Sequence, residues 1–545
     1  MRNSRFFPVA LLAVVVSAVA GGFFGSSAMA RQDEVTQQYR VFTTALAAIE
    51  REYVEAVPSD RLVYGSIEGM LHTLDPHSSF FTPREYAQMR ERQEGRYYGL
   101  GIQIQSIDGD ITVMSVFENS PAYRKGLRRG DIIAKITGDD KQTVDAKGFT
   151  SDQAVKLLKG PKGTTVGIGI KRRGYDGLID MQIERDEVNI VTVRGAFMVD
   201  EQTGYVKLGE FSETSDRELG AALEQLKAKG MKRLVFDLRD NPGGALDQAI
   251  KISNRFLPRG DLIVYTRGRV ENADQDYRAT ERSEYTDLAL VVLVNRNSAS
   301  ASEIVSGALQ DHDRALVVGE TTFGKALVQS VYRISEGAGV AVTTGRYYTP
   351  SGRLIQRPWD GSFDEYLTYT LREQNGDRQH AAADMKLTSG GRKVYSGGGI
   401  EPDKFVVGPV EGFNPTRFGR LLYARQAFVE FAGRFRAEGD TRLSAANQNK
   451  QPLARGFEVT DAMLADFKAS LKSQKIQVDD ESFEKDAAFI RAMIHFDIDR
   501  ELFGIDEARR NLIARDPQAQ FALGQFPEAL RMTEQTRLRA AKGVQ

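Results

Sequence analysis

Residues 288–294 read Leu-Ala-Leu-Val-Val-Leu-Val, residues 297–304 read Asn-Ser-Ala-Ser-Ala-Ser-Glu-Ile, and residues 315–329 read Ala-Leu-Val-Val-Gly-Glu-Thr-Thr-Phe-Gly-Lys-Ala-Leu-Val-Gln. The first run is apolar throughout, which is typical of a strand covered on both faces of a sheet. Helical spacing at residues 302–310 separates it from a second strand at residues 315–318. We therefore expect two neighbouring parallel strands joined by a helix, as in open α/β sheets.

Three side chains of complementary chemistry lie in this segment, those of Ser300, Lys325 and Gln329. Ser300 falls at the strand-to-helix turn, where its small neighbours Ala299 and Ala301 leave room for a substrate backbone. A serine hydroxyl can act as nucleophile, a neutral lysine amine as its base, and a glutamine amide as the group that orients the base. The Ala301 N–H can face a developing oxyanion. The constellation indicates a serine protease of the Ser–Lys type.

Plainer interpretations exist for each residue taken alone. Ser300 has the side chain of an ordinary helix N-cap, and a lone lysine is usually a surface charge. As a base, Lys325 needs its pKa lowered from ~10.4 to ~7–8, which requires about 4 kcal/mol of desolvation or like-charge pressure. The nearest histidine, His312, is the weaker candidate, because twelve residues along one helix span a rise of ~18 Å.

A glycine-rich loop is the second candidate element. Residues 237–244 read Asp-Leu-Arg-Asp-Asn-Pro-Gly-Gly and follow an apolar, strand-like run. Because Gly243 and Gly244 have no Cβ, backbone N–H groups around them are unshielded and can face an anion. Taken alone, the same pattern describes an ordinary turn.

Composition excludes several classes of protein. A chain of 545 residues is too long for a single core, so three or four domains are expected. Lys and Arg number 73 against 74 Asp and Glu, which gives no basic field for nucleic acid. The absence of cysteine excludes thiol nucleophiles, thiolate metal sites and disulfides. Neither a metal nor a cofactor is implied.

The N-terminus has the layout of a secretory signal peptide. Arg2 and Arg5 precede an almost wholly apolar run at residues 9–20 and an Ala-Met-Ala cleavage pattern at residues 28–30. We predict that residues 1–30 are removed and that the chain is exported to the periplasm or another extracytoplasmic space. The alternative is an uncleaved anchor, since the apolar stretch is nearly long enough to span a bilayer. That anchor would be the chain's only membrane contact.

The apolar pattern divides the rest of the chain into four regions. Residues 31–90 have mostly helical spacing, and residues 91–186 have short β-type runs separated by glycine turns, with a helix at Ser151–Leu158. Strands and helices alternate over residues 187–410, which indicates an α/β core. Residues 411–545 have helical spacing nearly to the end.

These motifs, in this order, resemble those of the carboxy-terminal processing, or tail-specific, proteases. The resemblance covers roughly residues 40–410. It is carried by residues 74–79 (Leu-Asp-Pro-His-Ser-Ser), 99–102 (Gly-Leu-Gly-Ile), 120–122, 126–127, 130–133, 237–244, 298–304, 319–329, 348–353 (Tyr-Thr-Pro-Ser-Gly-Arg) and 399–403 (Gly-Ile-Glu-Pro-Asp). It implies a multidomain α/β protein with a crotonase/ClpP-like α/β protease core, an inserted β-rich PDZ domain, an N-terminal helical segment and a C-terminal helical extension.

The resemblance also implies roles for individual residues. In that family the middle serine of the Ser-Ala-Ser-Ala-Ser-Glu motif is the nucleophile, which is Ser300 here. Lys325 corresponds to the base, Gln329 to the residue that assists it, and Glu303 to an accessory acidic position. The pair Gly243 and Gly244 matches the oxyanion loop, and the resemblance does not distinguish between the two.

Residues 91–186 resemble a PDZ domain of the bacterial, permuted type. In such a domain, backbone N–H groups hold the C-terminal carboxylate of a peptide that adds to the sheet as a strand. The implied partners are protein or peptide substrates with free C-termini. The residues that match the carboxylate-binding loop are Gly99, Leu100, Gly101 and Ile102. Taken alone, this stretch describes a β-hairpin turn equally well.

Two stretches depart from the family pattern. An insertion at about residues 357–396, which includes Trp359 and Tyr366, stands where a short connection is expected. It is open to interpretation as a lid, a docking arm or a surface loop. The helical stretch 411–545 could bind an adaptor, mediate self-association or pack on the core.

The leading hypothesis is an exported serine endopeptidase that recognises proteins by their free C-termini and cleaves near them. A catalytically silent PDZ scaffold is the first alternative, but the complete set of Ser300, Lys325 and Gln329 argues against it. An enzyme of acyl-thioester chemistry on the related crotonase-like core is the second alternative, which a PDZ domain and a signal peptide do not fit.

Overall fold

The computed structural model of the chain describes residues 35–172, 174–282, 284–359, 366, 380–408, 415–435 and 453–542. The expected signal peptide and residues 360–365 and 367–379 of the insertion therefore lie outside the described residues. Within them, residues 35–82 and Val331–Val342 form one compact unit, and the remainder forms another. No helix in the described ranges combines the length and the apolar composition needed to cross a membrane.

The smaller unit begins with two helices, α1 at residues 35–52 and α2 at Ser59–His72. Strand β1 (Ser79–Phe81) follows and pairs antiparallel with residues 339–341. The small core of this unit contains Leu71, Phe80 and Ala338.

The expected PDZ region follows helix α3 (Pro83–Glu94) and is mainly antiparallel β-structure. Its strands are β2 (Arg96–Gly99), β3 (Ile102–Ile107), β4 (Asp110–Val116), β5 (Ile132–Thr137), β6 (Thr143–Asp145), β7 (Thr165–Lys171), β8 (Ile179–Glu184) and β9 (Asp186–Asn189). Its helices are α4 (Pro121–Arg124) and α5 (Ser151–Leu158). The main sheet has the order β3-β4-β5-β7-β8, so that β3 is an edge strand.

Helix α5 has the bounds that the sequence predicts, and a reciprocal cap explains where it begins. The Thr150 hydroxyl accepts the Gln153 N–H at 3.2 Å, and the Gln153 side chain accepts the Thr150 N–H at 2.8 Å. These two bonds satisfy donors that a helix N-terminus otherwise leaves unpaired.

Between Val193 and Phe405, the described residues contain the remaining strands and three α-helices. The strands are β10 (Val193–Met198), β11 (Thr203–Leu208), β12 (Arg233–Asp237), β13 (Leu262–Gly268), β14 (Gln275–Arg278), β15 (Ala289–Val294), β16 (Leu316–Gly319), β17 (Leu327–Arg333), β18 (Gly339–Tyr348), β19 (Met385–Leu387), β20 (Lys393–Tyr395) and β21 (Lys404–Phe405). The helices are α6 (Ser215–Ala228), α7 (Leu246–Asn254) and α8 (Ala301–Asp311). A six-stranded sheet has the order β10-β11-β12-β15-β16-β21, in which only β10 and β11 pair antiparallel.

Alternating side chains of the central strands are buried on opposite faces of this sheet. In β15, Leu290 and Val292 belong to the core formed with helices α6, α7 and α8, whereas Val291 and Leu293 belong to a second core. The run is apolar throughout because both faces are covered. C-terminal residues complete the second core, namely Ile513, Ala519, Ala522, Phe526, Ala529 and Met532.

The C-terminal region is helical and has two parts. Its helices are α9 (Arg417–Ala424), α10 (Ala427–Ala432), α11 (Asp461–Ser473), α12 (Asp480–Lys485), α13 (Ala487–Leu502), α14 (Ile505–Ile513), α15 (Pro517–Leu523) and α16 (Phe526–Lys542). Helices α9–α13 surround a separate aromatic core, which includes Phe428, Phe431 and Phe467. Helices α14–α16 supply the second layer on the central sheet.

Candidate active site

Ser300 is the N-cap of α8, at the turn that follows β15. Its backbone has φ 54° and ψ −112°, a combination that non-glycine residues rarely adopt and that costs of order 1–3 kcal/mol. Neighbouring bonds hold the turn. The Ser298 hydroxyl donates to the Leu238 carbonyl at 2.8 Å, and the Ala299 N–H donates to the Asn241 carbonyl at 3.0 Å. A strained residue fixed by its surroundings is typical of functional turns.

The carboxylate of Glu303 joins the Ser300 turn to the loop that carries Lys325. It is fully buried and accepts the N–H groups of Ser300 at 2.8 Å, Gly324 at 2.7 Å and Lys325 at 2.9 Å. The Thr322 hydroxyl donates to the same carboxylate at 2.5 Å. Burial raises the pKa of Glu303 to about 7, although these donors oppose the shift. One side chain thus fixes both chain segments.

Lys325 lies half-buried in the loop between β16 and β17. Its Nζ donates to Oε1 of Gln329 at 3.0 Å, so that the amide holds the end of the lysine side chain. The loop is also bonded to the Ser300 turn, because the Phe323 N–H donates to the Ser298 carbonyl at 2.9 Å. The structure therefore brings together the segments of Ser300, Glu303 and Lys325 that the sequence singles out.

Tyr347 on β18 is a part of the site that sequence reasoning missed. Its hydroxyl lies 2.5 Å from the carbonyl oxygen of Lys325 and 3.2 Å from that of Ser300. Burial, with the nearby Glu303 carboxylate, raises the pKa of this phenol well above its usual range, so it stays protonated and can donate. The residue directly precedes the motif at 348–353, and strand alternation is the signal that could have pointed its side chain inward.

The glycine loop lies against the Ser300 turn. Gly243 has φ 95°, and a Cβ at this position would stand 2.6 Å from the Ala299 carbonyl oxygen and 2.8 Å from the Ser300 Cβ. At Gly244, with φ 144°, a Cβ would stand 2.0 Å from the Phe211 carbonyl oxygen. Both the conformation and the space therefore admit only glycine.

The two glycines differ in what their N–H groups bind. The Gly243 N–H donates to Oδ1 of Asn241 at 2.9 Å. Among the described residues, no acceptor is found for the N–H groups of Gly244 and Ala301. Ala301 is the first residue of α8, where N–H groups lack intrahelical partners and favour an anion. Gly244 and Ala301 are thus the donors that an oxyanion could use.

The insertion packs against the loop that carries Lys325. The Arg357 guanidinium lies 4.4 Å from the ring centroid of Phe323 and 4.3 Å from that of Tyr366. The Gln356 side chain donates to the Tyr366 hydroxyl at 3.0 Å. Trp359, the other aromatic residue of the insertion that the sequence singles out, makes no such stack in the described part of the chain. No group of three or more His, Asp or Glu in the described residues is arranged to hold a metal ion.

The expected carboxylate-binding loop belongs to other elements than the Ser300 turn. Gly99 ends β2, Leu100 is buried, and Ile102 begins β3. Gly101 has φ 78°, and a Cβ there would stand 2.2 Å from the Ser120 Cβ. The Ser120 hydroxyl donates to the Gly101 carbonyl at 3.2 Å. Because β3 is an edge strand, an extended peptide can pair with it beside this loop.

A parallel α/β sheet with a strained serine turn, attached to a PDZ-like β-domain, is the organisation of a serine-type peptidase. Comparisons with known proteins agree with this class. Residues 202–360 match Peptidase family S41, and residues 88–171 match the PDZ domain. Residues 24–83 match the N-terminal domain of the activating protease CtpB, and residues 419–504 match a family of unknown function, DUF8443.

Two relatives compared by sequence make the assignment more specific. The carboxy-terminal-processing protease of Bartonella bacilliformis is 37% identical over 63% of this chain and 80% of its own length. The carboxy-terminal processing protease CtpA of Bacillus subtilis is 33% identical over 65% of this chain and 74% of its own. A solved photosystem II D1 C-terminal processing protease is 27% identical, with a TM-score of 0.34, over 68% of this chain and 93% of its own. The chain belongs to the carboxy-terminal processing protease family and is a serine-type peptidase with a PDZ domain.

Proposed function

We propose that the chain is an exported endopeptidase that binds protein tails through its PDZ domain and cleaves near them with Ser300 and Lys325. The observation that carries this proposal is the buried Glu303 carboxylate, which bonds to the backbone of both residues. A rigid connection between nucleophile and base supports the preorganisation that catalysis needs.

The mechanism assigns one step to each group. Neutral Nζ of Lys325 takes the proton of Ser300 Oγ as that oxygen attacks the scissile carbonyl carbon. The N–H groups of Gly244 and Ala301 donate to the oxyanion that forms. Protonated Lys325 then gives its proton to the leaving amine, and water, deprotonated by the same lysine, hydrolyses the acyl-enzyme. Gln329 keeps the lysine Nζ in position through its carbonyl oxygen.

Substitution of the two central residues tests this assignment. Ser300→Ala and Lys325→Ala should each lower kcat by more than about a thousandfold, because a nucleophile without its base is nearly inert. Gln329→Ala should have a smaller effect, since it removes only an orienting bond. Lys232→Ala is the matched control, because Lys232 is exposed. Cleavage of a peptide substrate and the circular dichroism of each variant are measured. Full activity of folded Lys325→Ala would refute the dyad.

Export is proposed from the residues at the N-terminus. Arg2, Arg5, the apolar run and the Ala-Met-Ala pattern support cleavage after Ala30. Fractionation of the producing cell followed by N-terminal sequencing should give an extracytoplasmic protein that starts at Arg31. An intact Met1 in the membrane fraction would indicate the anchor instead, and recovery from the cytosol would contradict export altogether.

A further inference from the structure

A buried charge cluster lies where β12 ends and the glycine loop begins. Arg239 donates through Nε to Oδ1 of Asp237 at 3.0 Å and through Nη2 to Oδ2 at 2.7 Å. The Tyr205 hydroxyl donates to the same carboxylate at 2.5 Å. Burial acts to raise the pKa of Asp237, but Arg239 and Lys207 outweigh it and hold the pKa well below its usual range. Asp237 and Arg239 are therefore a charged pair inside the protein.

The C-terminal region supplies the other partners of this guanidinium. Asp516, the N-cap of α15, accepts from Nη2 of Arg239 at 2.7 Å. Gln518 accepts from Nη1 at 3.0 Å, and its amide nitrogen donates to the Val406 carbonyl at 2.8 Å. Asp516 and Gln518 thus complete the coordination of a charge that is nearly inaccessible to water. A buried donor without its acceptor is costly.

Arg239 is connected to the Ser300 turn by a short run of residues. The next residue, Asp240, has φ 61°. Its Oδ1 accepts hydrogen bonds from the side-chain amides of Asn295 at 2.8 Å and Asn297 at 2.9 Å. The carbonyl of Asn241 accepts the Ala299 N–H and the Ser302 hydroxyl, both at 3.0 Å. Arg239 thus lies two residues before Asn241, the loop residue whose carbonyl bonds to the Ser300 turn.

We propose that Asp516 and Gln518 are positioning residues of the active site, which act through Arg239 to hold the glycine loop against Ser300. This inference rests on the proposed function and assigns a catalytic purpose to the docking of α15. Without these acceptors the guanidinium must find others, and the loop shifts with it. We expect kcat to fall and the Kd for a substrate tail to stay the same, because neither residue contacts the PDZ loop.

Asp516→Asn is the first test. Its remaining oxygen can still accept the Ala519 N–H as the N-cap, whereas an NH2 group replaces the charged oxygen that accepts from Arg239. Gln518→Met is the second test. It keeps a side chain of similar size and removes the amide oxygen that accepts from Arg239. A shift of the loop by about 1 Å should lower kcat about 10–100-fold. The Kd of a C-terminal tail peptide should stay at the wild-type value. Glu528→Gln is the control, because its ion pair with Lys404 at 3.0 Å docks α16 on the same sheet without contacting Arg239.

The kcat values of the three variants decide whether Asp516 and Gln518 are positioning residues. Wild-type kcat in either folded variant overturns the proposal, and so does an equal loss in Glu528→Gln, which would mean that docking in general matters. Thermal melts identify a variant that fails to fold, and the other variant then decides. Ser300→Ala in the same assay distinguishes failure of the proposed function from failure of this inference. Residual cleavage there refutes the proposed function, whereas wild-type kcat in Asp516→Asn, beside a Ser300-dependent wild type, refutes this inference alone.

Discussion

Gly243 shows how little freedom a single residue has beside Ser300. Its φ of 95° is matched by that of Gly260, 96°, but a Cβ on Gly260 would meet nothing within 4 Å. Gly243→Ala adds a methyl group 2.8 Å from the Ser300 Cβ, so we expect kcat to fall by about a hundredfold or more. Gly260→Ala should cost only about 1–2 kcal/mol of backbone strain and leave kcat unchanged. Equal activity of the two variants would show that the loop does not need this close approach.

Glu303 gives a prediction for stability against pH. Its pKa rises from 4.5 to about 7 on folding because it is buried, so the folded state binds the proton more tightly than the unfolded state. The contribution to the free energy of unfolding is then complete below pH 4.5 and is lost as pH rises to about 7. The difference between wild type and Glu303→Gln should fall by roughly 3 kcal/mol across that window. Chemical denaturation at several pH values measures it, and a flat difference would mean an unshifted carboxyl.

For single residues, the sequence predicts contacts between positions that are close along the chain and misses contacts between distant segments. Ser300 could be placed at a strand-to-helix turn because an apolar run and a helical period meet there. The Lys325–Gln329 contact likewise joins residues four positions apart. Tyr347 reaches the site only through the pairing of distant segments, in which its N–H donates to the Ala326 carbonyl at 3.0 Å. That register is a tertiary property that periodicity does not contain.

Among the elements, the edge strand β3 and the loop before it lead to a prediction about substrate tails. The N–H groups of Gly101 and Ile102 bond to the Tyr97 hydroxyl in this structure. We expect a terminal carboxylate to take the place of that hydroxyl, so a peptide with a free C-terminus should bind more tightly than its amidated form by ~1.5–3 kcal/mol. Fluorescence anisotropy with the full-length Ser300→Ala protein measures both Kd values. Equal values would mean that the loop is structural and that tails are selected elsewhere.

Gly126 provides the control for this loop. Gly101 and Gly126 have nearly the same φ, 78° and 77°, but only at Gly101 would a Cβ collide, 2.2 Å from the Ser120 Cβ. Gly101→Ala should therefore weaken binding of the free tail, and Gly126→Ala should not. Equal weakening in both would indicate a general loss of PDZ stability.

Element boundaries show where periodicity fails. Helix α5 was predictable because its cap and its apolar face are local. The helical spacing predicted for residues 411–545 does not show where one helix ends and the next begins: α9 and α10 are separated at Gln426, which has φ 56°. The spacing survives the break because both helices face the same aromatic core. A shared core imposes one pattern on two elements.

For the whole molecule, the central sheet needs two covering layers. The continuous apolar runs predict this from sequence, yet they do not say which segment provides the second layer. The sequence of residues 411–545 does not decide what its helices contact, because amphipathic helices have the same pattern whether they contact a partner, a second copy or their own sheet. In the structure, α14–α16 pack on β15.

Two phenylalanines of that layer test its contribution. The Phe526 side chain is 0% exposed and belongs to the second core, whereas Phe521 is 40% exposed. Phe526→Ala should lower the free energy of unfolding by about 3–5 kcal/mol, and Phe521→Ala by less than about 1 kcal/mol. Urea denaturation of both variants measures the difference. A loss below about 1 kcal/mol in Phe526→Ala as well would mean that the C-terminal layer contributes little to the stability of the sheet.

Because α14–α16 lie near the C-terminal end of this sequence, the second face of the central sheet is covered late in synthesis. Synthesis runs from the N-terminus, so the ribosome makes Ser300 and Lys325 long before it makes the helices that cover the second face of their sheet. Until then the growing chain presents an uncovered apolar face, which favours chaperone binding. A chain that stops before α14 contains Ser300 and Lys325 but lacks Asp516 and the residues that cover the second face of the sheet.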